Sequence, residues 1–585
     1  MDLNNDGFSC QVYICIVSAV LCVWIDHIYS TCEERYMKAM FVIYFLIVGG
    51  CLFAQNYPQW NWAISVNSDG FDSSEEGWPS IAISNTGRKY ITGSFSGTMI
   101  CGGTVLTSEG GEDIFVAKLN ASGNYIWARR AGSFDRDTSR DIKIDGMGNC
   151  YITGYTHEGI FGSITLFDEG MYVAKLDTDG NWLWVKNTTS NYFYHSYGYS
   201  LALDNNLNCF VTGYYNGTCN FGSTQLTSDG ADIFVAKLDY SGNWLWTKSA
   251  GGSQDDQGYG ITCDSAGNCF VTGVYGNWSD PNDPNYNFYP DFQDQVYIGK
   301  LSSSGSWLWQ FYYGADRVME IGVDIAVDAS GNSYVAGMFG SPLGGTWATT
   351  LADSLVGGYR EGFVTKFNAD GGIDDDCWAI GLGGPGDDTI RSIVLDNTNH
   401  LFVAGGFAPG AFAGNHMPFV STEGSLYVAK LDLNGHCNWA VTANGGFPEG
   451  TCVAVNQNHI VAVAGFFSSA IGFNGTNLFF DQNNPLYADA CFATISDTQT
   501  LIAPQAPTNL GTTAMGNELV LSWDPVSHSV QNTAIVTDYY EIYCSTVSSD
   551  GPFSLLDTTE DTRFAVHNIA TLPSRMFFYV VAKDE

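Results

Sequence analysis

Basic residues are scarce in this chain. Lys and Arg number 23 against 61 Asp and Glu in 585 residues, a formal net charge of −38. Such a surface repels phosphate backbones, and phosphate binding needs clustered Lys and Arg, so nucleic acid is excluded as a partner. Histidine is sparse too, with nine scattered residues and none in a Ser-His-Asp or metal-ligand setting. No Cys-x-x-Cys spacing suggests zinc. Apolar runs are short: Phe41 to Val48 is too brief for a comfortable transmembrane helix, so no membrane span is expected in the mature chain. With 67 Gly, the composition is that of a large, β-rich, exported protein.

What the chain does contain is a repeat. An apolar-Ala-x-Asp strand, a turn ending in Gly-Asn and an aromatic-Val-Thr-Gly strand recur seven times at a spacing of about 60 residues. The copies run Ile81 to Gly93, Ile142 to Gly154, Leu201 to Gly213, Ile261 to Gly273, Ile325 to Gly337, Ile393 to Gly405 and, worn down, Val453 to Gly465. Each unit adds a second hairpin, as in Asp232-Ile233-Phe234-Val235-Ala236-Lys237-Leu238, the turn to Asn243, and Trp244-Leu245-Trp246. Two hairpins make four antiparallel strands, and four strands make one propeller blade. The seventh unit stops at Ile495 with no Trp strand, while an orphan Trp60-Asn61-Trp62-Ala63 stands at the start. The expected fold is therefore all-β: a seven-bladed β-propeller over 55–500, its last blade completed by the N-terminal strand, which would remove an open sheet edge.

These repeats, Asp-x-x-Gly-Asn-x-Tyr-Val-Thr-Gly and Phe-Val-Ala-Lys-Leu-Asp-x-x-Gly-x-x-x-Trp, resemble the SBBP β-propeller repeats of secreted bacterial proteins. The resemblance covers roughly residues 58 to 500 and implies an exported protein, without implying any one activity. Past a linker at 501–507, Leu519 to Pro525, Tyr540-Glu541-Ile542-Tyr543 and Phe578 to Ala582 resemble a fibronectin type III β-sandwich over 508–585. That family's final strand should follow Ala582, which suggests a truncated domain.

At the other end, Met37-Lys38 precedes the short apolar run and Ala54-Gln55, reading as a signal peptide over 37–54 with an upstream extension over 1–36. Two rivals stand beside it. One is a real extension with two membrane-seeking segments, since Ile14 to Ile25 is also apolar; the other is a lipobox at Val48-Gly49-Gly50-Cys51. Either way the expected location is secreted or cell-surface.

Eleven of 16 cysteines follow the cleavage point, an odd number. Cys150, Cys209 and Cys269 share one slot in successive units and read as buried small apolar residues. Cys263 and Cys269 flank a turn and should lie opposite each other, so a cross-strand disulfide is possible there.

Chemistry-bearing candidates are few. The turn Asp177-Thr178-Asp179-Gly180-Asn181 mimics a calcium loop, but siblings such as Asp239 to Asn243 and Asp328 to Asn332 lack the second carboxylate, and turn geometry explains them all. The opening Asp2 to Gly7 has Tyr13 where a bidentate acid should stand. Asp135 and Asp137, Asp255 and Asp256, and Asp387 and Asp388 should gather on one rim, where capping of turns is the favoured role. No cofactor is certain, and Ca²⁺ stays possible on so acidic a surface.

The most binding-like stretch is the insertion in the fourth unit, with Trp278, Asp280, Asp283, Tyr286 and Tyr289 as ligand-contact candidates: aromatic faces beside carboxylates suit a glycan. A weaker insertion lies around Trp347 and Tyr359. No catalytic residue is assigned. Sialidase-type arginine clusters and Asp-boxes are missing, and a likeness of Ala236 to Trp246 to the Trp-docking motif of quinoprotein dehydrogenases reads as shared packing. The expectation is a non-enzymatic scaffold whose propeller face binds a glycan or extracellular protein. A carbohydrate-active enzyme and a purely structural module are the alternatives; paired carboxylates at unknown distances keep the enzyme open.

Overall fold

The computed structural model describes residues 58–66 and 78–496, apart from the segments 191–195, 277–293, 315–318, 341–360, 374–375, 384–385, 409–411, 414–416, 419–423, 446–447, 469, 474–475 and 480–488, together with the backbone of strands in 11–26 and 511–583. The chain divides into two compact units, Pro58–Asp497 and a second made of Met1–Tyr57 with Thr498–Glu585.

The larger unit is a seven-bladed β-propeller. Blade one is Ser80–Ile83, Lys89–Phe95, Asp113–Leu119 and Tyr125–Ala131, hydrogen-bonded in that order. Blades two to six repeat the same antiparallel meander, beginning at Thr138, Ser196, Gln257, Met319 and Thr389. Blade seven has Glu449–Val455, Ile460–Phe467 and Asp489–Ser496, and its fourth strand is Trp60–Val66, in register as Trp62↔Thr494 and Ile64↔Phe492. Trp60 also donates its indole N–H to Thr442 O of blade six at 2.9 Å.

Cores form between blades. Strands buried on both faces alternate side chains toward opposite neighbours, so every blade shares apolar layers with two others. Tyr90, Val116 and Trp127 of blade one pack with Ile142, Cys150 and Tyr172 of blade two. Ile81, Ile91 and Phe115 of the first blade pack with Ala464 and Phe492 of the seventh, with Trp62 and Ile64 against them. Each fully buried side chain of this kind contributes about 1.5–3 kcal/mol.

The turns that close the two hairpins of each blade lie at one end of the strands. The blade-to-blade connections lie at the other. At the turn end the repeated acid acts as a cap: Asp145 accepts from Met147 N and Asn149 N at 3.0 and 2.9 Å and from Asn149 Nδ2 at 2.7 Å. Asp177 does the same with Asp179 N, Asn181 N and Asn181 Nδ2. Its oxygens accept from N–H donors, which is an Asx turn. In blades one to five the outer-strand Trp reaches the next blade's turn. Trp127, Trp184, Trp246, Trp309 and Trp378 donate to Thr178, Tyr240, Ser303, Ala369 and Leu433 carbonyls at 2.9–3.3 Å. Gly180 sits under the Trp127 ring with φ +81°, where a Cβ would come within 2.8 Å of the indole. Trp62 of blade seven is set against Gly123 of blade one in the same way.

The second unit has a three-stranded sheet, Gly511–Met515, Glu518–Ser522 and Arg563–His567, and a five-stranded one. The latter runs Gln11–Val17, Val20–Asp26, Phe577–Lys583, Tyr539–Ser545, Ser554–Thr559. Val20–Asp26, a segment read from sequence as part of an upstream extension, pairs with Phe577–Lys583.

Candidate functional site

The seven innermost strands enclose an axial channel of about 390 Å³. Its most distinctive ring comes from a repeated irregularity. In six blades the inner strand carries one extra residue against its partner, and the residues at that step are Arg140, Tyr199, Tyr259, Val323, Arg391 and Thr451. A bulge re-aims the side chain it carries. All six line the channel, near the end where the inner strands begin, and Trp78 and Pro79 of blade one join them.

Arg140 lies over the rings of Trp78 and Tyr199, 4.9 Å from each centroid. Arg391 lies 4.3 Å from the same Trp78 centroid and donates Nε to Glu449 Oε1 at 2.5 Å. Tyr199 and Tyr259 are 5.2 Å apart, and both hydroxyls donate to Gln257 Oε1, at 3.3 and 3.0 Å. The aromatic arc continues outward: Tyr197 stacks on Tyr155 at 4.5 Å and on Tyr214 at 5.4 Å. Burial raises the Tyr259 hydroxyl above its ordinary value, against the pull of Arg140 and Arg391, so the phenol is neutral at physiological pH.

One residue deeper, two carboxylates face the channel. Asp141 accepts from its own strand at Ile142 N (2.8 Å), from the next blade at Leu201 N (2.9 Å), from Ser80 and Ser200 hydroxyls, and from Lys143 Nζ at 2.7 Å. Asp324 repeats the pattern with Ile325 N, Ile393 N and the Ser392 hydroxyl, each 2.9 Å. Innermost strands have an unpaired edge, and these acids satisfy its amides across blade boundaries. Burial pushes Asp324 up to about 6, with Lys143 acting the other way. Burial works to lower the Lys143 ammonium, but Asp141 beside it carries the pKa above its usual value. The side chain of Lys143 lines the channel, held by Asp141.

In the acidic rim at least one acid of each pair caps backbone N–H groups. Asp137 accepts from Ser133 N, Ser133 Oγ, Thr156 Oγ1 and His157 N; Asp256 from Gly252 N and Gly276 N; Asp388 from Ala408 N. Among the described residues no group of three or more His, Cys, Asp or Glu is placed to hold a metal ion, and no helix is long and apolar enough to cross a membrane.

The sequence-derived ligand residues Trp278, Asp280, Asp283, Tyr286 and Tyr289 lie outside the described residues. The strands bracketing them, Cys269–Tyr275 and Gln295–Leu301, end and begin at the same end of the propeller as the Arg140 ring. Cys263 and Cys269 are directly opposite, as hairpin counting gives, but the disulfide is not formed: both are free thiols, and Cys263 Sγ turns to Leu203 O of blade three at 3.1 Å. Cys150, Cys209 and Cys269 are fully buried.

Sequence reasoning missed Arg140, Tyr199, Tyr259, Arg391 and Trp78. The signal was available. Aligned on the apolar residue that opens each repeat, Arg140, Tyr199, Tyr259 and Arg391 stand two places before it, in one column.

No family model matches the chain, so SBBP and fibronectin type III remain resemblances. An uncharacterized WD repeat-containing protein of Acanthamoeba polyphaga mimivirus is 24% identical over 471 residues, covering 64% of this chain. The chain spans about a third of that relative's length. Among solved structures, the Neurospora crassa Pan2 WD40 domain aligns over 74% of this chain and 90% of its own, at 10% identity and TM-score 0.34. A Synechocystis apocarotenoid oxygenase variant aligns over 72% and 97%, at 10% identity and TM-score 0.36. The likeness to the mimivirus protein is one of repeat type.

Proposed function

We propose that this chain is a non-enzymatic binding propeller whose ligand, a glycan or a segment of an extracellular protein, is received at the channel mouth formed by Trp78, Arg140, Tyr199, Tyr259 and Arg391. The observation that carries the reading is the bulge ring. Away from the bulge the inner strands line the channel with small or apolar residues together with Asp141, Lys143 and Asp324, yet at the bulge itself four blades present Arg or Tyr. Scaffold packing does not call for that. Flat aromatic and guanidinium surfaces at a concave mouth suit recognition of a ring or an extended polar segment. The rest of the sequence reading goes with it: export through a signal peptide cleaved after Ala54, a seventh blade closed by Trp60–Val66, and a C-terminal type III module as spacer.

The test is a glycan and peptide array with the full chain, run with calcium and with chelator. Saturable binding lost in Trp78→Ala and in Tyr199→Ala is the expected result. Binding that survives both and disappears in Trp278→Ala or Tyr289→Ala would move the site to the fourth-blade insertion.

The enzyme alternative has one observation in its favour. Asp324, held near 6, shares the channel with Lys143-bound Asp141, two acids in different electrostatic settings. Each is engaged by two backbone amides, which fixes it for structure. Hydrolysis of any array glycan that stops in Asp324→Asn, with binding intact, would favour that alternative.

A further inference from the structure

We infer that the seam between blade seven and blade one, at the turn end, is a second ligand site, and that it takes an uncharged sugar of one or two rings. This site is separate from the channel mouth and does not depend on the reading given for it above.

A column of the repeat breaks at this seam. In six blades an aromatic residue on the second strand stands directly opposite a lysine on the third: Tyr90↔Lys118, Tyr151↔Lys175, Phe210↔Lys237, Phe270↔Lys300, Tyr334↔Lys366 and Phe402↔Lys430. In blade seven the same pair is Ala462↔Thr494. Lys118, Lys175, Lys237 and Lys300 lie over their rings and reach a carbonyl in the next blade's turn. Tyr90 crosses to the next blade as well, its hydroxyl donating to Gly148 O at 3.1 Å. Blade seven has neither the ring nor the ammonium to extend toward blade one.

A pocket of about 500 Å³ opens where they would stand. Thr494, Gly87 and Ala121 are in its wall. The last two hold the repeat positions of Gly148 and Thr178, the residues that Tyr90 and Lys118 reach one junction further on. A Cβ on Gly148 would meet the Tyr90 hydroxyl at 3.0 Å, whereas one on Gly87 would meet carbon atoms of Ala121 and Ile460 at 3.4–3.9 Å. The volume is within the range of small-ligand cavities. The turn carbonyl is not left bare: Lys89, in the slot of Cys150, donates to Ala121 O at 2.7 Å and lies 4.6 Å from the Trp62 ring centroid.

The chemistry of the wall decides the ligand class. Lys89 is its one charged side chain, already engaged as described, and no carboxylate lines the pocket. A cation finds no acid there, and an anion meets the field of a chain carrying −38 with no free positive charge to offset it. The hydrogen-bonding groups without a partner among the described residues are neutral: Asn85 Nδ2, Asn458 Oδ1 and the Ser122 hydroxyl. Asn85 spends its Oδ1 on Gln457 N at 3.1 Å, and Asn458 its Nδ2 on Asn85 O at 2.8 Å. An amide donor, an amide acceptor and a hydroxyl, with Ile460 beside them, suit the hydroxyls and C–H surface of a neutral sugar.

The experiment titrates the full chain and its Trp78→Ala variant, which removes the ring at the channel mouth, with D-glucose, D-galactose, cellobiose, lactose and D-glucuronate, by saturation-transfer NMR and calorimetry. At least one neutral sugar is expected to bind the Trp78→Ala chain. Asn85→Asp keeps the acceptor for Gln457 N and removes the free N–H, and should weaken that binding on the order of tenfold. Ser122→Tyr, at an exposed turn position, should block it. Glucuronate should bind at least tenfold more weakly than the tightest neutral sugar. Tighter binding of a disaccharide than of its monosaccharides assigns the ligand to a glycan end; equal binding assigns it to the free sugar. No neutral sugar binding to the Trp78→Ala chain, or binding that neither turn variant weakens, would overturn the seam site and leave the mouth to be judged by its own array. Glucuronate binding as tightly as the neutral sugars would overturn the uncharged assignment, a comparison that needs no substitution in the pocket.

Discussion

The two ends of the propeller are made from the same strands and obey different rules. At the turn end six blades repeat the same contact, a left-handed Gly in the second hairpin turn with a neighbour's Trp laid on it, most of these turns being Asx-capped. At the mouth end the same strands bear Arg, Tyr, Tyr, Val, Arg and Thr at one structurally equivalent step. Contacts that hold blade to blade must repeat, because each blade meets the next in the same geometry. A site for an asymmetric ligand must break that repetition. Within a repeat protein, the column that refuses to repeat is therefore the place to look for function.

The strongest way to break the comparison is to remove the strand that lets the turn-end pattern pass from blade seven to blade one. A chain starting at Asp69 lacks Trp60–Val66, and with it the Phe492 and Ala464 neighbours Trp62 and Ile64. We expect failure to fold or a melting temperature lower by on the order of 10 °C or more. Melting like the full chain would show that the ring does not depend on that strand.

Next in size is a matched pair of tryptophans. Trp127→Ala at the turn end removes a buried indole, its bond to Thr178 O and its seat on Gly180, and should cost about 3–5 kcal/mol in denaturant unfolding. Trp78→Ala at the mouth removes a half-buried ring held between two guanidiniums and should cost about 1–2 kcal/mol. Ligand binding should respond in the opposite order. Equal stability losses would make the mouth one more packing contact.

Legibility in the sequence followed the same division. Strands, turns, blade count and the slot of Cys150, Cys209 and Cys269 could be read because backbone and packing demands recur, and seven copies average out the noise. Asp137, Asp256 and Asp388 could be placed together, and their capping role follows from the turn chemistry. The Arg140–Tyr199–Tyr259–Arg391 ring could not be seen one copy at a time. A bulge is a property of pairing between two strands, and only the register shows which residue it re-aims. Trp78 was harder still, since its partners come from blades two and six, more than 60 residues away.

A smaller effect separates the ends by pH. At the mouth end, burial pushes Asp113 and Asp232 up to about 6 and Asp256 up to about 7, and raises Asp137. A carboxyl with a folded pKa above its unfolded value favours the fold most when protonated. Its contribution is complete below the unfolded value near 3.8 and is lost as pH rises through 6 to 7. At the turn end burial is outweighed by hydrogen bonds from Asn181, Asn208, Asn243 and His400, which hold Asp177, Asp204, Asp239 and Asp396 low. Those acids stabilise above the unfolded value and cease to do so only in stronger acid. Melting temperature should therefore rise by about 2–5 °C from pH 7.5 to 5 before falling below pH 4. Asp256→Asn should flatten the rise, and a monotonic fall from pH 7.5 would contradict the buried rim.

The smallest expected effect concerns Cys263 and Cys269, which sit at the turn end as direct cross-strand partners. Opposite residues in an antiparallel pair have Cα atoms about 4.5–5.5 Å apart, inside the range a disulfide spans. Closing the bond asks the Cys263 thiol to turn away from Leu203 O, giving up one contact to blade three. Diamide treatment followed by peptide mass mapping should show this pair losing two hydrogens while buried Cys150 and Cys209 stay reduced. The gain should be under about 2 kcal/mol, because the hairpin joined is short and its ends are already close in the unfolded chain. If oxidation lowers the melting temperature instead, the thiol's hold on the neighbouring blade matters more than the cross-link, and the slot belongs to the repeating contacts that keep blade against blade.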